Sequence, residues 1–223
     1  MTALPPRASS LPLLAVTGLE QSFGGVMALA GVSFQVAEGL IYAVIGPNGA
    51  GKTTLFNALC GFYQPSAGSI RFADRELLGL PPYRIAARGV ARTFQNLQLF
   101  FNMTVIENVM VGCHLRAKTH LFAAALRLPG IRRQEHQLRA WAMEALELCE
   151  LADRAGQPAS ALPYGLMKRV EIARALAAKP RLLLLDEPAA GLNDTETLAL
   201  RDLIARIRDS GVTVLLVEHH MPL

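Results

Sequence analysis

The sequence has few cysteines, no long apolar run and little net charge. Its 223 residues include only three cysteines, Cys60, Cys113 and Cys149, and their spacing does not match a metal site. No apolar run approaches the roughly 20 residues that a membrane-spanning helix needs, and the N-terminus lacks the charged start and long apolar stretch of a signal peptide. The formal net charge of +4 does not by itself indicate nucleic acid. We expect a cytosolic protein with reduced core cysteines and no nucleic-acid partner.

Apolar residues, by contrast, are abundant. Hydrophobic residues make up 52% of the sequence, and its mean hydropathy of +0.29 is high for a soluble protein. A chain of this length can form one domain with a sizeable core and a subdomain. We expect the excess apolar residues to form a face of the protein that is covered, and not a membrane span. Small basic pairs such as Lys168 and Arg169 are expected on a solvated face.

One glycine-rich stretch carries more information than any other. Residues 46–54 match the P-loop pattern G-x-x-x-x-G-K-[ST], in the order Gly46, Pro47, Asn48, Gly49, Ala50, Gly51, Lys52, Thr53 and Thr54. An apolar run at 40–45 predicts a buried strand before it, and residues 54–60 predict a helix after it. The backbone N–H groups would then hold a polyphosphate, with Lys52 at the β- and γ-phosphates and Thr53 on Mg²⁺. A glycine-rich turn without a ligand is the alternative, and the flanking elements favour nucleotide binding.

A second strand pattern ends in two acids. The aliphatic run at 182–185 is typical of a strand buried on both faces, and Asp186 and Glu187 follow it. Because ligands of open α/β sheets bind at the carboxyl ends of the strands, these acids would lie near the P-loop. Asp186 can hold Mg²⁺, and Glu187 can orient and deprotonate an attacking water. His219 follows the strand pattern at 212–217 and would reach the same edge.

Strand and helix patterns alternate along the chain, which predicts an α/β fold. Further strands are expected at 14–18, 32–36 and 69–72, an extended segment at 92–95, and a short helix at 82–87. The region 104–178 is mainly helical, and apolar residues recur there at helical spacing at Leu138, Trp141, Ala142, Ala145, Leu146 and Cys149. Another helix is expected at 195–208, with Asp194 as its N-cap and Gly211 closing it.

The order of these motifs resembles the ATP-binding-cassette (ABC) ATPases over nearly the whole chain. The segment at 162–176 corresponds to the signature motif and its helix, beginning with Leu162, Pro163, Tyr164 and Gly165. By the same resemblance, Phe23 would stack on adenine, Gln95 would contact Mg²⁺ and sense the transmembrane partner, and His219 would be the switch histidine. Three features resemble most the ATPases of importers for branched-chain or other hydrophobic amino acids: residues 189–193, Tyr164 and the long segment 112–140. Related cassettes for urea, short amides or lipopolysaccharide export look similar.

The resemblance implies a P-loop NTPase (RecA-like) core with a small antiparallel β subdomain and a helical subdomain. Its boundaries are expected at 1–12 for a flexible leader, 13–95 and 179–223 for the core with the β subdomain, and 96–178 for the helical subdomain. It also implies ATP and Mg²⁺ as cofactors and a homo- or heterodimer in which each signature acts on the partner's ATP. Transmembrane permease subunits and, indirectly, a periplasmic solute-binding protein would be the other partners, and the chain would lie peripherally on the cytoplasmic face of the inner membrane.

Two departures from the family pattern bear on activity. Pro163 stands where the family has a serine, and it has neither a hydroxyl nor an N–H group, so we expect weaker closure of the dimer. We expect Pro163 at the first position of its helix, where proline is tolerated. The chain also ends soon after His219, which suggests truncation at the C-terminus. A catalytically weak ATP-binding regulatory cassette and a non-transport ABC ATPase of DNA repair or translation remain the alternatives.

Overall fold

The computed structural model of the protein describes residues 12–95, 97–116 and 129–218. These residues contain two four-stranded sheets. The antiparallel sheet has the order β2-β1-β4-β5 and is built from β1 (Leu14–Phe23), β2 (Val26–Val36), β4 (Ala67–Phe72) and β5 (Arg75–Glu76). The parallel sheet has the order β3-β8-β7-β6 and is built from β3 (Ile41–Ile45), β6 (Val90–Arg92), β7 (Leu182–Asp186) and β8 (Thr213–Glu218).

Six α-helices accompany the sheets in the described part of the chain. They are α1 (Lys52–Leu59), α2 (Pro82–Ala87), α3 (Val105–Gly112), α4 (Pro129–Leu148), α5 (Tyr164–Leu176) and α6 (Asp194–Asp209). None of the helices within these residues is long and apolar enough to cross a bilayer. The predicted α/β fold, with one antiparallel sheet, one parallel sheet and a helical region, is confirmed.

The parallel sheet separates two hydrophobic clusters. Since successive strand residues point to opposite faces, Leu182 and Leu184 pack with the antiparallel sheet, α1 and α2, whereas Leu183 and Leu185 pack with α3, α4, α5 and α6. Strands β7 and β8 are buried along their whole length, as expected for parallel strands covered on both faces. The prediction of a buried strand at 40–45 was wrong, because β3 is the edge strand of the sheet and has no fully buried residue. The helices within 96–178 pack into the same hydrophobic cluster as one face of this sheet and α6. Because that cluster does not divide the chain into separate units, the predicted domain boundaries stay a prediction.

Helix α4 confirms the predicted apolar spacing. Ala142, Ala145 and Leu146 are buried, Leu138 and Trp141 pack against the same cluster, and the charged residues Arg139, Glu144 and Glu147 are exposed. Cys60, Cys113 and Cys149 are buried free thiols, as the sequence predicted for core residues. Burial raises the pKa of Cys149 to about 12 and that of Cys60 to about 11, which disfavours the reactive thiolate form.

The starts of two helices, α6 and α5, differ from the sequence-based expectations. The N-cap of α6 is Asn193, whose side chain accepts from the Glu196 N–H at 2.9 Å, so the prediction of Asp194 as the cap was wrong by one residue. The side chain of Glu196 completes a capping box by accepting from the Asn193 N–H at 3.1 Å. Pro163 is the N-cap of α5 and not its first helical residue.

Strand β6 also differs from its prediction. It spans Val90–Arg92 and begins before the extended segment expected at 92–95. The Gly89 carbonyl accepts from the Arg181 and Leu182 N–H groups, so pairing with β7 starts there. The backbone still follows β7 at Thr93, whose N–H donates to the Leu184 carbonyl at 3.0 Å.

Close packing of α3 on α5 generates a stability prediction. An ideal Cβ at Gly112 would lie 1.9 Å from the Arg174 carbonyl oxygen, whereas nothing lies within 4 Å of one at Gly156. In a helix, Gly→Ala would otherwise stabilise by about 0.5–1 kcal/mol. Gly112→Ala should therefore destabilise the protein by about 1–3 kcal/mol, because the two helices must separate. Urea unfolding measures the change, with Gly156→Ala, at an open turn position, as the control. Equal or raised stability of Gly112→Ala would contradict this packing.

Candidate functional site

The parallel sheet brings the predicted site segments to one edge. In the observed register, Ile45 pairs with Glu218, Asp186 with Val217, and Arg92 with Leu184. The P-loop after β3, the segment with Gln95 after β6, and the acids at the end of β7 therefore leave the sheet at its carboxyl edge. This is the place where open α/β sheets bind ligands.

The P-loop has the backbone conformation that a phosphate cradle needs. Gly49 and Gly51 have φ values of 79° and 84°, which favour glycine. An ideal Cβ at Gly51 would lie 2.2 Å from the Ala28 carbonyl oxygen on β2, so a side chain cannot fit there. Gly51 is also the N-cap of α1 and has no side chain to cap the helix. The positive end of α1 is thus directed at the loop, where an anion is favoured.

The ammonium group of Lys52 is held at this loop. Its Nζ donates to the Gly46 carbonyl at 2.5 Å and to the Pro47 carbonyl at 2.8 Å, and the residue is only 7% exposed. The two backbone carbonyls therefore hold the ammonium group close to the glycines of the loop. Phosphate oxygens could replace these carbonyls as stronger, charge-assisted partners.

The two acids of β7 have different partners. Asp186 forms a buried ion pair in which its Oδ2 lies 2.6 Å from Arg92 Nη2. Glu187 is partly exposed, and its Oε2 accepts from Gln95 Nε2 at 3.0 Å. Its φ of 47° costs a non-glycine residue about 1–3 kcal/mol, as is frequent at functional sites. The backbone conformation of Glu187 and the hydrogen bond from Gln95 together position the Glu187 carboxylate.

The donor set suits a hard divalent cation. Thr53 is exposed at the second position of α1, and Asp186 contributes a carboxylate at the same sheet edge. Hydroxyl, carboxylate and amide oxygens are the ligands that Mg²⁺ takes together with phosphate oxygens. The amide nitrogen of Gln95 donates to Glu187 and not to Asp186. The role of Gln95 as a Mg²⁺ ligand therefore stays a prediction. Asp186 already holds one cation, Arg92.

The remaining predicted site residues lie apart from these contacts. Phe23 is 43% exposed and meets the ring of Tyr63 edge-on, with centroids 5.3 Å apart. Tyr63 was not predicted from the sequence, although its position just after α1 brings a second aromatic ring beside Phe23. His219 lies outside the described residues; strand β8 ends one residue earlier, at Glu218, whose Oε1 accepts from the Ala189 N–H at 3.2 Å.

The signature segment is fixed on the start of α6. Leu162 is buried, and an ideal Cβ at Gly165 would lie 2.6 Å from the Glu196 carboxylate that completes the α6 capping box. Tyr164 is exposed and its ring lies against Gly191. The N-cap residue of α5, Pro163, makes no side-chain capping bond, and its carbonyl accepts from the Leu166 and Met167 N–H groups, both at 3.0 Å.

Helix α5 also grips the segment that carries Gln95. Lys168 Nζ donates to the Gln95 carbonyl at 3.4 Å, Glu171 Oε1 accepts from the Phe94 N–H at 3.3 Å, and Arg174 donates to the Gln98 carbonyl. The expectation that Lys168 is solvated was wrong, because the residue is only 4% exposed. Burial raises the pKa of Glu171, partly offset by the Phe94 N–H. These contacts were not predictable from charge spacing alone, since the periodicity of α5 does not show what it faces.

Comparison with known proteins agrees with this geometry. A model of the ABC transporter family matches residues 29–190. The chain is 48% identical to the high-affinity branched-chain amino acid transport ATP-binding proteins BraF of Pseudomonas aeruginosa and LivG of Escherichia coli, over 96% of this chain and 84% of each relative.

Solved structures have the same fold. An ATP-binding cassette of an ABC transporter in its ADP conformation is 31% identical, with a TM-score of 0.82 over 95% of this chain and 83% of that one. A nucleotide-free ATP-binding cassette gives a TM-score of 0.81 at 30% identity, with the same coverage. The resemblance that the motifs predicted is confirmed, and the chain belongs to the ABC transporter family.

Proposed function

We propose that this protein is the ATP-binding and ATP-hydrolysing subunit of a transporter for branched-chain amino acids. The observation that carries the proposal is the meeting of the P-loop and the Asp186–Glu187 pair at one sheet edge. The names of the relatives BraF and LivG supply the transported class. A non-transport ABC ATPase is not favoured, because these relatives are transport proteins.

The P-loop and the two acids have different roles in ATP hydrolysis. The loop N–H groups and Lys52 bind the phosphates, and Glu187 accepts a proton from the attacking water while Gln95 holds its carboxylate in position. Thr53 and Asp186, with Gln95, would hold Mg²⁺, which neutralises charge on the phosphates when it is bound. Phe23 would stack on the adenine, and His219 would contact the γ-phosphate.

The site is completed by a second ABC ATPase subunit. The uncapped start of α5 is exposed through Pro163 and Tyr164, while Gly165 is packed on Glu196. In a dimer, Leu162, Pro163, Tyr164 and Gly165 would face the partner's ATP, and the positive end of α5 would replace the contact that a serine hydroxyl makes. Transmembrane permease subunits would dock beside Gln95, on the cytoplasmic face of the inner membrane, and a periplasmic binding protein would deliver the solute.

Replacing the proposed base tests the catalytic assignment. Glu187→Gln keeps the shape of the side chain and removes the proton acceptor. ATP binding should persist, hydrolysis should fall about 10²–10⁴-fold, and a closed dimer should accumulate with ATP. Phosphate release and size-exclusion chromatography with ATP measure both effects, with the exposed Glu38→Gln as the control. Unchanged hydrolysis in Glu187→Gln would reject this residue as the base.

Removing the P-loop ammonium tests nucleotide binding. Lys52→Ala should weaken ATP binding by roughly 1.5–3 kcal/mol, because a charge-assisted contact with the phosphates is lost. A fluorescent ATP analogue measures the affinity, and circular dichroism checks that the variant is folded. Lys179→Ala, at an exposed ion pair with Glu144, is the matched control. Affinities of the two variants within twofold of each other would contradict the P-loop assignment.

A further inference from the structure

Arg92 lies at the centre of the site, and neither the motifs nor the family resemblance gave it a role. It is the last residue of β6, and its side chain is 7% exposed. Its Nη2 lies 2.6 Å from Asp186 Oδ2, and its Nη1 donates to Asn57 Oδ1 at 2.6 Å. The guanidinium therefore joins the strand-end acid to α1, the helix that begins at Lys52.

Two aromatic rings enclose the same guanidinium. Its central carbon lies 5.5 Å from the centroid of Phe56 and 5.4 Å from that of Phe94. Such contacts stabilise a desolvated cation. Phe94 immediately precedes Gln95, so the position of Arg92 is connected to the segment whose amide holds Glu187. Arg92 thus contacts all three elements that form the site.

The enclosure of Arg92 is incomplete. Its Nε is buried and has no hydrogen-bond partner among the described residues. A buried donor without a partner is unfavourable. Cys60 lies nearby, but burial keeps its thiol protonated by raising its pKa to about 11, so it offers no second anion. Asp186 is the anion that retains Arg92.

Asp186 is also the carboxylate assigned to Mg²⁺ in the proposed function, on which this step rests. Two cations that share one carboxylate repel each other, and at a buried site the repulsion is poorly screened. We propose that Arg92 is a stand-in cation: it pairs with Asp186 when the metal is absent and gives way when Mg²⁺ enters with the nucleotide. Arg92 is therefore a positioning residue that sets the metal concentration the site requires, and its release frees Phe94 and the Gln95 segment.

Metal binding, measured without turnover, tests this role. Electron paramagnetic resonance reports Mn²⁺ binding to the protein with a non-hydrolysable ATP analogue. Arg92→Gln removes the competing charge and should bind Mn²⁺ about fivefold or more tightly than the unaltered protein. Arg92→Lys keeps the competing charge and should bind Mn²⁺ more weakly than Arg92→Gln. Arg181→Gln is the control. Arg181 forms an exposed ion pair with Glu38 at the opposite end of β7, so its replacement should leave Mn²⁺ binding unchanged.

The outcomes separate this inference from the proposed function. Lack of any nucleotide-dependent Mn²⁺ binding by the unaltered protein would overturn the proposed function itself. If that binding is present but Arg92→Gln, with an unchanged melting curve, binds Mn²⁺ equally or more weakly, Arg92 is only a structural partner of Asp186. If Arg92→Gln does not fold, hydrogen exchange of the unaltered protein tests the same role. Adding Mg²⁺ to the nucleotide-bound protein should speed amide exchange at residues 92–95. Unchanged exchange there would overturn the stand-in role.

Discussion

The parallel pairing of β3, β8, β7 and β6 is the constraint on which the rest of this structure depends. Pairing in this order fixes the register of Ile45, Asp186 and Arg92, and so brings residues far apart in sequence to one edge. It also separates the two hydrophobic clusters, because each buried leucine of β7 can face only one of them. A one-residue slip of β7 would exchange the two sets of leucines and turn Asp186 away from its partner.

The sequence predicted those parts of the site that a short motif encodes. The P-loop, the acids after the aliphatic strand and the helical face of α4 follow from local spacing, and the structure has them in the expected elements. Local spacing does not reveal partners across the chain. The pairing of Arg92 with Asp186 joins residues 94 positions apart, and the contact of Lys168 with the Gln95 carbonyl joins residues 73 apart.

Cap positions were the other source of error, for a different physical reason. Asn193 and Asp194 are both good N-caps, and the choice between them depends on which one has Glu196 three positions later. The capping-box rule favours Asn193, so this signal was present in the sequence. Pro163 was misplaced by one residue because proline suits both the N-cap and the first helical position, and only the backbone angles separate the two.

Charge and hydrogen bonding connect the site to the helical region. Arg92 links Asp186 to Phe94, Gln95 links the same segment to Glu187, and α5 holds its carbonyl and N–H groups. The start of α5 is in turn packed on α6, which follows β7. These contacts connect the acids with the start of α5, where Pro163 and Tyr164 are exposed.

The most direct test of an ATP site at this edge is equilibrium dialysis of the unaltered protein against ATP and Mg²⁺. The geometry predicts saturable binding of one nucleotide per chain, with GMP and inorganic phosphate unable to displace it at equal concentration. Binding that does not saturate, or that is absent in folded protein, would contradict a nucleotide site built by the P-loop and the Asp186–Glu187 pair.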